Sequence, residues 1–277
     1  MKTASETSSV SDVAPVALDW PHAEIARITL LREAEFNTLS LEMIACFDEA
    51  VSEAAGKARA LIVTGSGRVF CAGGQIDYFH DPSHGLLERN ALRERYVRPI
   101  TEVFGRLRAQ PFVTIAAING YALGGGCELA MACDLRIMSD AARIGLTEAR
   151  LGVVPAGGGV QMLAKLVGRE RALEIALFAE QWTAADAKAL GLISRHVPAA
   201  ELESAALALA SRVLQSGPDA VAEIKRAIYR CETADPKEAD EIALDALAFV
   251  AQGAEWKEAV GAFLEKRRPS FWRPGLD

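Results

Sequence analysis

The stretch from residue 112 to residue 133 constrains this chain most. An apolar run of strand character, Phe112-Val113-Thr114-Ile115-Ala116-Ala117-Ile118, precedes three adjacent glycines, Gly124-Gly125-Gly126. A small-residue, helix-compatible run, Glu128-Leu129-Ala130-Met131-Ala132-Cys133, follows them. Strand, glycine turn and helix in that order leave bare backbone N–H groups at the positive end of a helix. Such an end is a ready site for a negative oxygen. Glu128 stands about one helical turn past the middle glycine, so an acid–base group adjoins the anion site. The alternative is that the glycines only allow close packing, since glycine-rich turns have several uses. The region is apolar enough to raise a membrane span. However, Asn119, Glu128 and Asp134 interrupt it, and the glycines break its middle. The expectation is a buried strand–turn–helix and no membrane span.

At 277 residues and 51% hydrophobic content, the chain can bury a large core in one domain with or without an appendage. A formal charge of -7 speaks against a nucleic-acid surface, which needs a basic face. The five cysteines are odd in number and form no Cys-x-x-Cys pair, so they read as reduced thiols of a cytoplasmic protein. Residues 1–13 are small and polar, with no apolar signal segment, and read as a disordered tail.

From residue 14 the pattern is α/β. Residues 16–20 and 25–30 read as strands joined by a turn containing Pro21. Ser40 is a plausible N-cap for a helix whose apolar face carries Leu41, Ile44, Phe47 and Val51. Residues 60–65 form a buried strand. A helical segment over residues 86–107 should break near Arg98, because Pro99 removes a backbone donor. Short strands are expected over residues 134–138, 143–146 and 193–197. Thr183 and Asp186 resemble a capping box, and Gly191 ends that helix. The core is placed at residues 14–199. Residues 200–277 read as a helical region with an apolar stripe of Ile242, Ala246, Phe249 and Val250.

A second glycine turn, Cys71-Ala72-Gly73-Gly74-Gln75-Ile76, also follows a strand. One N–H from each turn could converge on one oxygen and stabilise an enolate without a metal. Glu128 and Glu148 are two carboxylates that could act as general acid and base, though spacing alone does not show that they face each other. Gly157-Gly158-Gly159 lacks the Gly-Lys-Ser/Thr ending of a phosphate loop and reads as a turn supporting Glu148. His80 and His84 have no partners at metal-ligand spacing, so no metal site is expected. Cys71 and Cys127 read as buried thiols.

Three motifs now stand in one order. They are Phe70-Cys71-Ala72-Gly73-Gly74, then residues 117–130 from Ala117-Ile118-Asn119-Gly120 through Gly124-Gly125-Gly126-Cys127-Glu128, then residues 147–159 from Thr147-Glu148 through Pro155-Ala156-Gly157. Together they closely resemble the enoyl-CoA hydratase/isomerase (crotonase) superfamily, from about Val16 to the C-terminus. The resemblance implies a spiral of β-β-α units with a C-terminal helical trimerisation region, as a homotrimer or a dimer of trimers. It implies that Gly74 and Gly125 supply the oxyanion hole and that Glu128 and Glu148 are catalytic. Ala72, Gly73, Gln75, Ile76, Gly124, Pro155 and Gly157 would bind substrate. The implied activity is hydration of a trans-2-enoyl-CoA, with isomerase, hydrolase or decarboxylase chemistry as alternatives within the family. Some relatives bind RNA, which the acidic charge opposes. No cofactor is implied, since coenzyme A is part of the acyl-CoA thioester substrate. The chain departs from the family at Gln75, where Asp is frequent, at Asp77, where a base is frequent, and at Thr147, where Pro is frequent.

Overall fold

A computed structural model describes residues 14–275. The tail expected over residues 1–13 lies outside them. The first hairpin pairs β1 (Val16–His22) with β2 (Ile25–Leu30). Pro21 falls inside β1 and not in the turn. β1 is the edge strand of its sheet, where a missing N–H need not cost a ladder bond. Helix α1 (Leu41–Ala54) starts as expected, with Ser40 Oγ accepting the Met43 N–H at 3.1 Å.

From there the chain alternates between two sheets. Strand β3 (Ala60–Gly65) joins the larger sheet and β4 (Val69–Cys71) the smaller. After α2 (Arg89–Leu92), a π-helical turn at Arg93–Val97 and α3 (Arg98–Ala109), the pattern repeats with β5 (Val113–Ile118) and β6 (Tyr121–Leu123). It repeats again after α4 (Gly125–Ala132), with β7 (Leu135–Ser139) and β8 (Arg143–Gly145). Then come α5 (Gly159–Val167), α6 (Arg169–Phe178), β9 (Trp182–Thr183), α7 (Ala184–Leu190) and β10 (Arg195–Val197). The larger sheet has the order β1-β2-β3-β5-β7-β10 and the smaller β4-β6-β8-β9. This is the β-β-α spiral that the sequence motifs implied.

Two local expectations change. The run at residues 112–118 does not enter the glycine turn directly, because β6 intervenes in the second sheet. The corner between β5 and β6 is built by Asn119, whose amide donates to the Gly67 carbonyl at 2.9 Å and accepts the Gly65 N–H at 3.1 Å. A side chain on Gly120 would meet the Arg68 carbonyl oxygen at 1.9 Å, so only glycine fits there. The break near Pro99 also takes another form. The helix runs without a break from the π-helical turn into α3, so Pro99 lies inside it, and the irregularity is the π-helical turn that ends just before Arg98.

The C-terminal helices are α8 (Leu202–Val213), α9 (Pro218–Cys231), α10 (Pro236–Ala251) and α11 (Ala254–Leu264). A domain boundary at residue 200 does not match their packing. Leu202, Ala206, Leu209 and Leu214 pack on Ile25, Ile62, Ile115 and Ile137 of the larger sheet. Helix α8 therefore covers the sheet's second face and belongs to the core. Among the described residues no helix is long and apolar enough to cross a membrane.

Helix α9 is tied to the core through one carboxylate. Asp134 accepts the Thr114 N–H at 2.7 Å, the Thr114 hydroxyl at 2.9 Å, the Tyr229 hydroxyl at 2.7 Å and the Lys225 ammonium at 2.8 Å. Removing one partner of a buried ion pair leaves the other charge uncompensated. Asp134→Ala should therefore lower unfolding free energy by about 3–5 kcal/mol, read by urea denaturation. It should also expose the α9–α10 segment to limited proteolysis before the rest of the chain.

Candidate active site

Strands β4, β6 and β8 run parallel and side by side, with Cys71 beside Ala122 and Leu123 beside Gly145. Their carboxyl ends therefore release three loops at one edge: residues 72–75, 124–126 and 146–148. Open parallel sheets place ligand sites at such ends. The two glycine turns meet there. A Cβ added to Gly73 would lie 3.1 Å from the Gly125 nitrogen, and one added to Gly125 would lie 3.4 Å from the Gly73 Cα.

The three adjacent glycines do different work. Gly124 has φ 53° and ψ -122°, a conformation that a side chain would strain. Its N–H donates to the Gly145 carbonyl at 2.9 Å and its carbonyl accepts the Glu128 N–H at 3.0 Å. Gly125 is the first residue of α4, where a backbone N–H has no partner within the helix. Gly126 is a packing residue, since a Cβ there would lie 1.9 Å from the Cys71 carbonyl oxygen. Close packing thus accounts for Gly126, while Gly125 keeps an N–H outside the helical ladder.

The other turn is held by the segment before α1. Leu39 donates its N–H to the Gly73 carbonyl at 2.8 Å, and Ala72 donates to the Phe36 carbonyl at 3.0 Å. Thr38 Oγ1 donates to Gln75 Oε1. Ile76 follows with an exposed side chain at the rim.

Glu128 is buried in the first turn of α4. Burial pushes its carboxyl up to about 7, against the Gly159 N–H and with the nearby charge of Glu148. Its Oε1 accepts that Gly159 N–H at 2.7 Å, and the Gly157 N–H also favours its ionised form. The turn at Gly157–Gly159 was expected to support Glu148, but its amides serve Glu128 instead. The loop folds back over the start of α4, with Pro155 buried beneath Gly159. Glu148 opens the 3-10 turn Glu148–Leu151 after β8, half-buried, and burial raises its carboxyl as well. Its Oε1 would stand 3.1 Å from a Cβ on Gly124, and its Oε2 is buried with no hydrogen-bond partner. Both glutamates thus lie beside the second glycine turn, close enough to feel each other's charge.

Several other candidates are accounted for elsewhere. Cys71 and Cys127 are buried thiols whose ionisation is opposed by burial, that of Cys71 up to about 12. Arg267 pairs with Glu258 and Glu265, and Arg268 stacks on Trp272 with its guanidinium 3.5 Å from the ring centroid. Two of the three bases in the C-terminal cluster are therefore engaged within the chain. A cavity of about 470 Å³ lies under α9, against Met131, Arg136, Met162, Ile224 and Ile228, away from the glycine turns. One residue at the site carried no sequence signal. Tyr96, in the π-helical turn, is buried with its hydroxyl 2.9 Å from the Gln75 nitrogen.

The family model for enoyl-CoA hydratase/isomerase matches residues 21–274. The chain belongs to that family. It is 34% identical over 249 residues to a short-chain-enoyl-CoA hydratase of Clostridium acetobutylicum, covering 88% of this chain and 93% of the relative. The crystal structure of an enoyl-CoA hydratase from Bacillus anthracis superposes with a TM-score of 0.86 at 32% identity, over 92% of this chain and 98% of that one. Pseudomonas aeruginosa DspI superposes with a TM-score of 0.86 at 34% identity, over 97% of this chain and 100% of that one.

The raised carboxyl of Glu128 has a measurable cost. Its ordinary value is 4.5 and its folded value about 7, so between them the folded state holds a proton that the unfolded state has lost. Stability contributed at low pH is therefore lost as pH rises through that window. Relative to Glu128→Gln, the unfolding free energy of the natural protein should fall between pH 5 and pH 8 by up to about 3 kcal/mol. Urea denaturation across that range checks it, and a pH-independent difference would contradict it.

Proposed function

We propose that this family member is an enoyl-CoA hydratase, adding water across the 2,3 double bond of a trans-2-enoyl-CoA thioester. The observation that carries the reading is the pair Glu128 and Glu148 beside the turn that meets Gly73, with both carboxyls raised by burial. Two neighbouring carboxyls raised in this way can share one proton, leaving one acid and one base.

In this reading the thioester carbonyl accepts the N–H groups of Gly74 and Gly125. The carboxyls hold a water over the double bond. Glu128 takes a proton from the water as its oxygen bonds to Cβ. The π electrons move onto the thioester as an enolate, which the two N–H groups stabilise. Glu148 then gives its proton to Cα, so the elements of water are added, and the proton that Glu128 took from the water passes to Glu148 to restore the starting state. Each step uses groups of this chain and of the substrate. Coenzyme A belongs to the substrate, and no further cofactor enters the scheme. Ala72, Gly73, Gln75, Ile76, Gly124, Pro155 and Gly157 are assigned to the substrate-binding wall. The five free cysteines fit a reducing, cytoplasmic setting.

The assembly proposed is a trimer or a dimer of trimers. The stripe expected on α10 divides, with Ile242 buried and Phe249 63% exposed. Leu244 and Leu247 on α10, Trp256 and Phe263 on α11, and Leu173 and Leu177 on α6 are also exposed, more apolar surface than scattered single residues supply. Sedimentation at micromolar concentration should give a mass that is a multiple of three chains, and a stable monomer would remove the assignment.

A panel of enoyl-CoA thioesters, followed by loss of the conjugated enoyl absorbance and by product analysis, tests the activity. Glu128→Gln and Glu148→Gln should each lower kcat by about 10²–10⁴-fold while retaining acyl-CoA binding. Activity should peak where one carboxyl is protonated and the other ionised, and fall on both sides. Conversion of a 3-enoyl-CoA to its 2-enoyl isomer without hydration would select the isomerase reading instead. Near-normal turnover in either variant would remove that glutamate from the mechanism.

A further inference from the structure

We infer that Tyr96 is a positioning residue that sets the direction of the Gly74 N–H, and so the strength of the oxyanion hole. The inference deepens the hydratase reading and rests on it.

Gly74 lies between two peptide planes. The first joins the Gly73 carbonyl to the Gly74 N–H. Its carbonyl accepts the Leu39 N–H at 2.8 Å, and no peptide in the described residues is cis. A planar trans peptide points its N–H opposite to its carbonyl, so the Leu39 bond aims the Gly74 N–H away from Leu39. The second plane joins the Gly74 carbonyl to the Gln75 N–H. That N–H donates to the Tyr96 hydroxyl at 2.9 Å, and the hydroxyl donates in turn to the Leu39 carbonyl at 2.7 Å. Leu39 thus holds one plane directly; it also faces the other across its parallel bridge to Gly74, and the Tyr96 hydroxyl supplies the short hydrogen bonds that close that side. With both planes fixed, the backbone angles at Gly74 have no freedom to swing its N–H.

The same residues join this turn to the other. Leu39 is buried, and its Cδ1 would lie 2.8 Å from a Cβ on Gly125. The Tyr96 ring is itself fixed, meeting Phe79 edge-on at 5.5 Å between centroids and Tyr78 at 5.4 Å. Its hydroxyl would stand 3.2 Å from a Cβ on Gly74. The tyrosine comes from the π-helical turn Arg93–Val97, and π-bulges recur at functional sites. Burial pushes the phenol well above its ordinary value, which favours the protonated form that donates to Leu39.

Tyr96→Phe deletes both bonds of the hydroxyl and keeps the ring. Tyr78→Phe is the control, since the Tyr78 hydroxyl only accepts the exposed Leu41 N–H at 3.4 Å. The probes are crotonyl-CoA and trans-2-decenoyl-CoA for turnover, and their saturated analogues butyryl-CoA and decanoyl-CoA for binding. Infrared spectroscopy reads the thioester carbonyl of the bound analogues, whose stretch falls when the hole donates to it. Turnover is expressed per folded molecule. Tyr96→Phe should lose about 10- to 100-fold in kcat, less than deletion of a whole donor. Its affinity for the saturated analogues should stay within about threefold, because the loss falls mainly on the transition state, where the carbonyl oxygen carries the most charge. The downshift of the carbonyl stretch should shrink in Tyr96→Phe and persist in Tyr78→Phe. A Tyr96→Phe protein with full kcat and an unchanged shift overturns the role of Tyr96 alone. So does a loss of activity that only follows the folded fraction. A natural protein that binds the analogues with no carbonyl shift overturns the oxyanion-hole reading, and the role of Tyr96 with it.

Discussion

The site depends on the parallel pairing of β4, β6 and β8. Each is three residues long, so none would hold its place alone. The corner residues hold them against the larger sheet. Asn37 donates to the Val69 carbonyl at 2.8 Å, and Asn119 ties the corner after β5 to Gly65 and Gly67 in the turn between β3 and β4. Because neighbouring strands in a sheet lie only about 4.8 Å apart, three loops leaving their ends must be neighbours. The contact between Gly73 and Gly125 follows from that spacing, and so does the place of Glu148 beside Gly124. Side chains at those glycines would push the turns apart, which is why the approach needs bare backbone.

Bringing two carboxyls into this edge opposes stability. Desolvation disfavours the charged form of each, and at Glu128 the charge of Glu148 adds to it. The Gly157 and Gly159 amides offset part of the penalty at Glu128, and protonation offsets more. Glu148 retains a buried oxygen without a partner. Buried polar atoms in folded proteins are nearly always satisfied, so an orphaned one marks a place where folding alone does not explain the arrangement. The same desolvation that costs stability brings the carboxyls toward neutrality, where acid–base transfer is efficient.

The C-terminal helices divide into two roles. α8 completes the core by covering the second face of the larger sheet. α9 is pinned at Asp134, where one carboxylate collects an ammonium, two hydroxyls and a backbone N–H. α10 and α11 keep bulky side chains such as Leu247, Phe249 and Phe263 in solvent. Removing that surface from water favours association, which links the folding of one chain to the assembly proposed for it.

Much of this was legible in the sequence because it depends on short-range order. The N-caps at Ser40 and Thr183, the C-cap at Gly191 and the three glycine-bearing motifs each act within a few residues, where spacing and chemistry are visible together. The sequence alone therefore determined the fold family, both glycine turns and both glutamates as candidates. It could not determine what lay opposite each residue. Pro21 became an edge-strand residue because β1 has no neighbour on one side. Gly157–Gly159 turned to Glu128 because the loop folds over α4, and α8 joined the core because the larger sheet had an uncovered face. Tyr96 lies 21 residues from Gln75, in a turn whose π character no local pattern announced. Only the tertiary structure brought its hydroxyl to the loop, because a hydrogen bond is set by distance in space and not by distance along the chain.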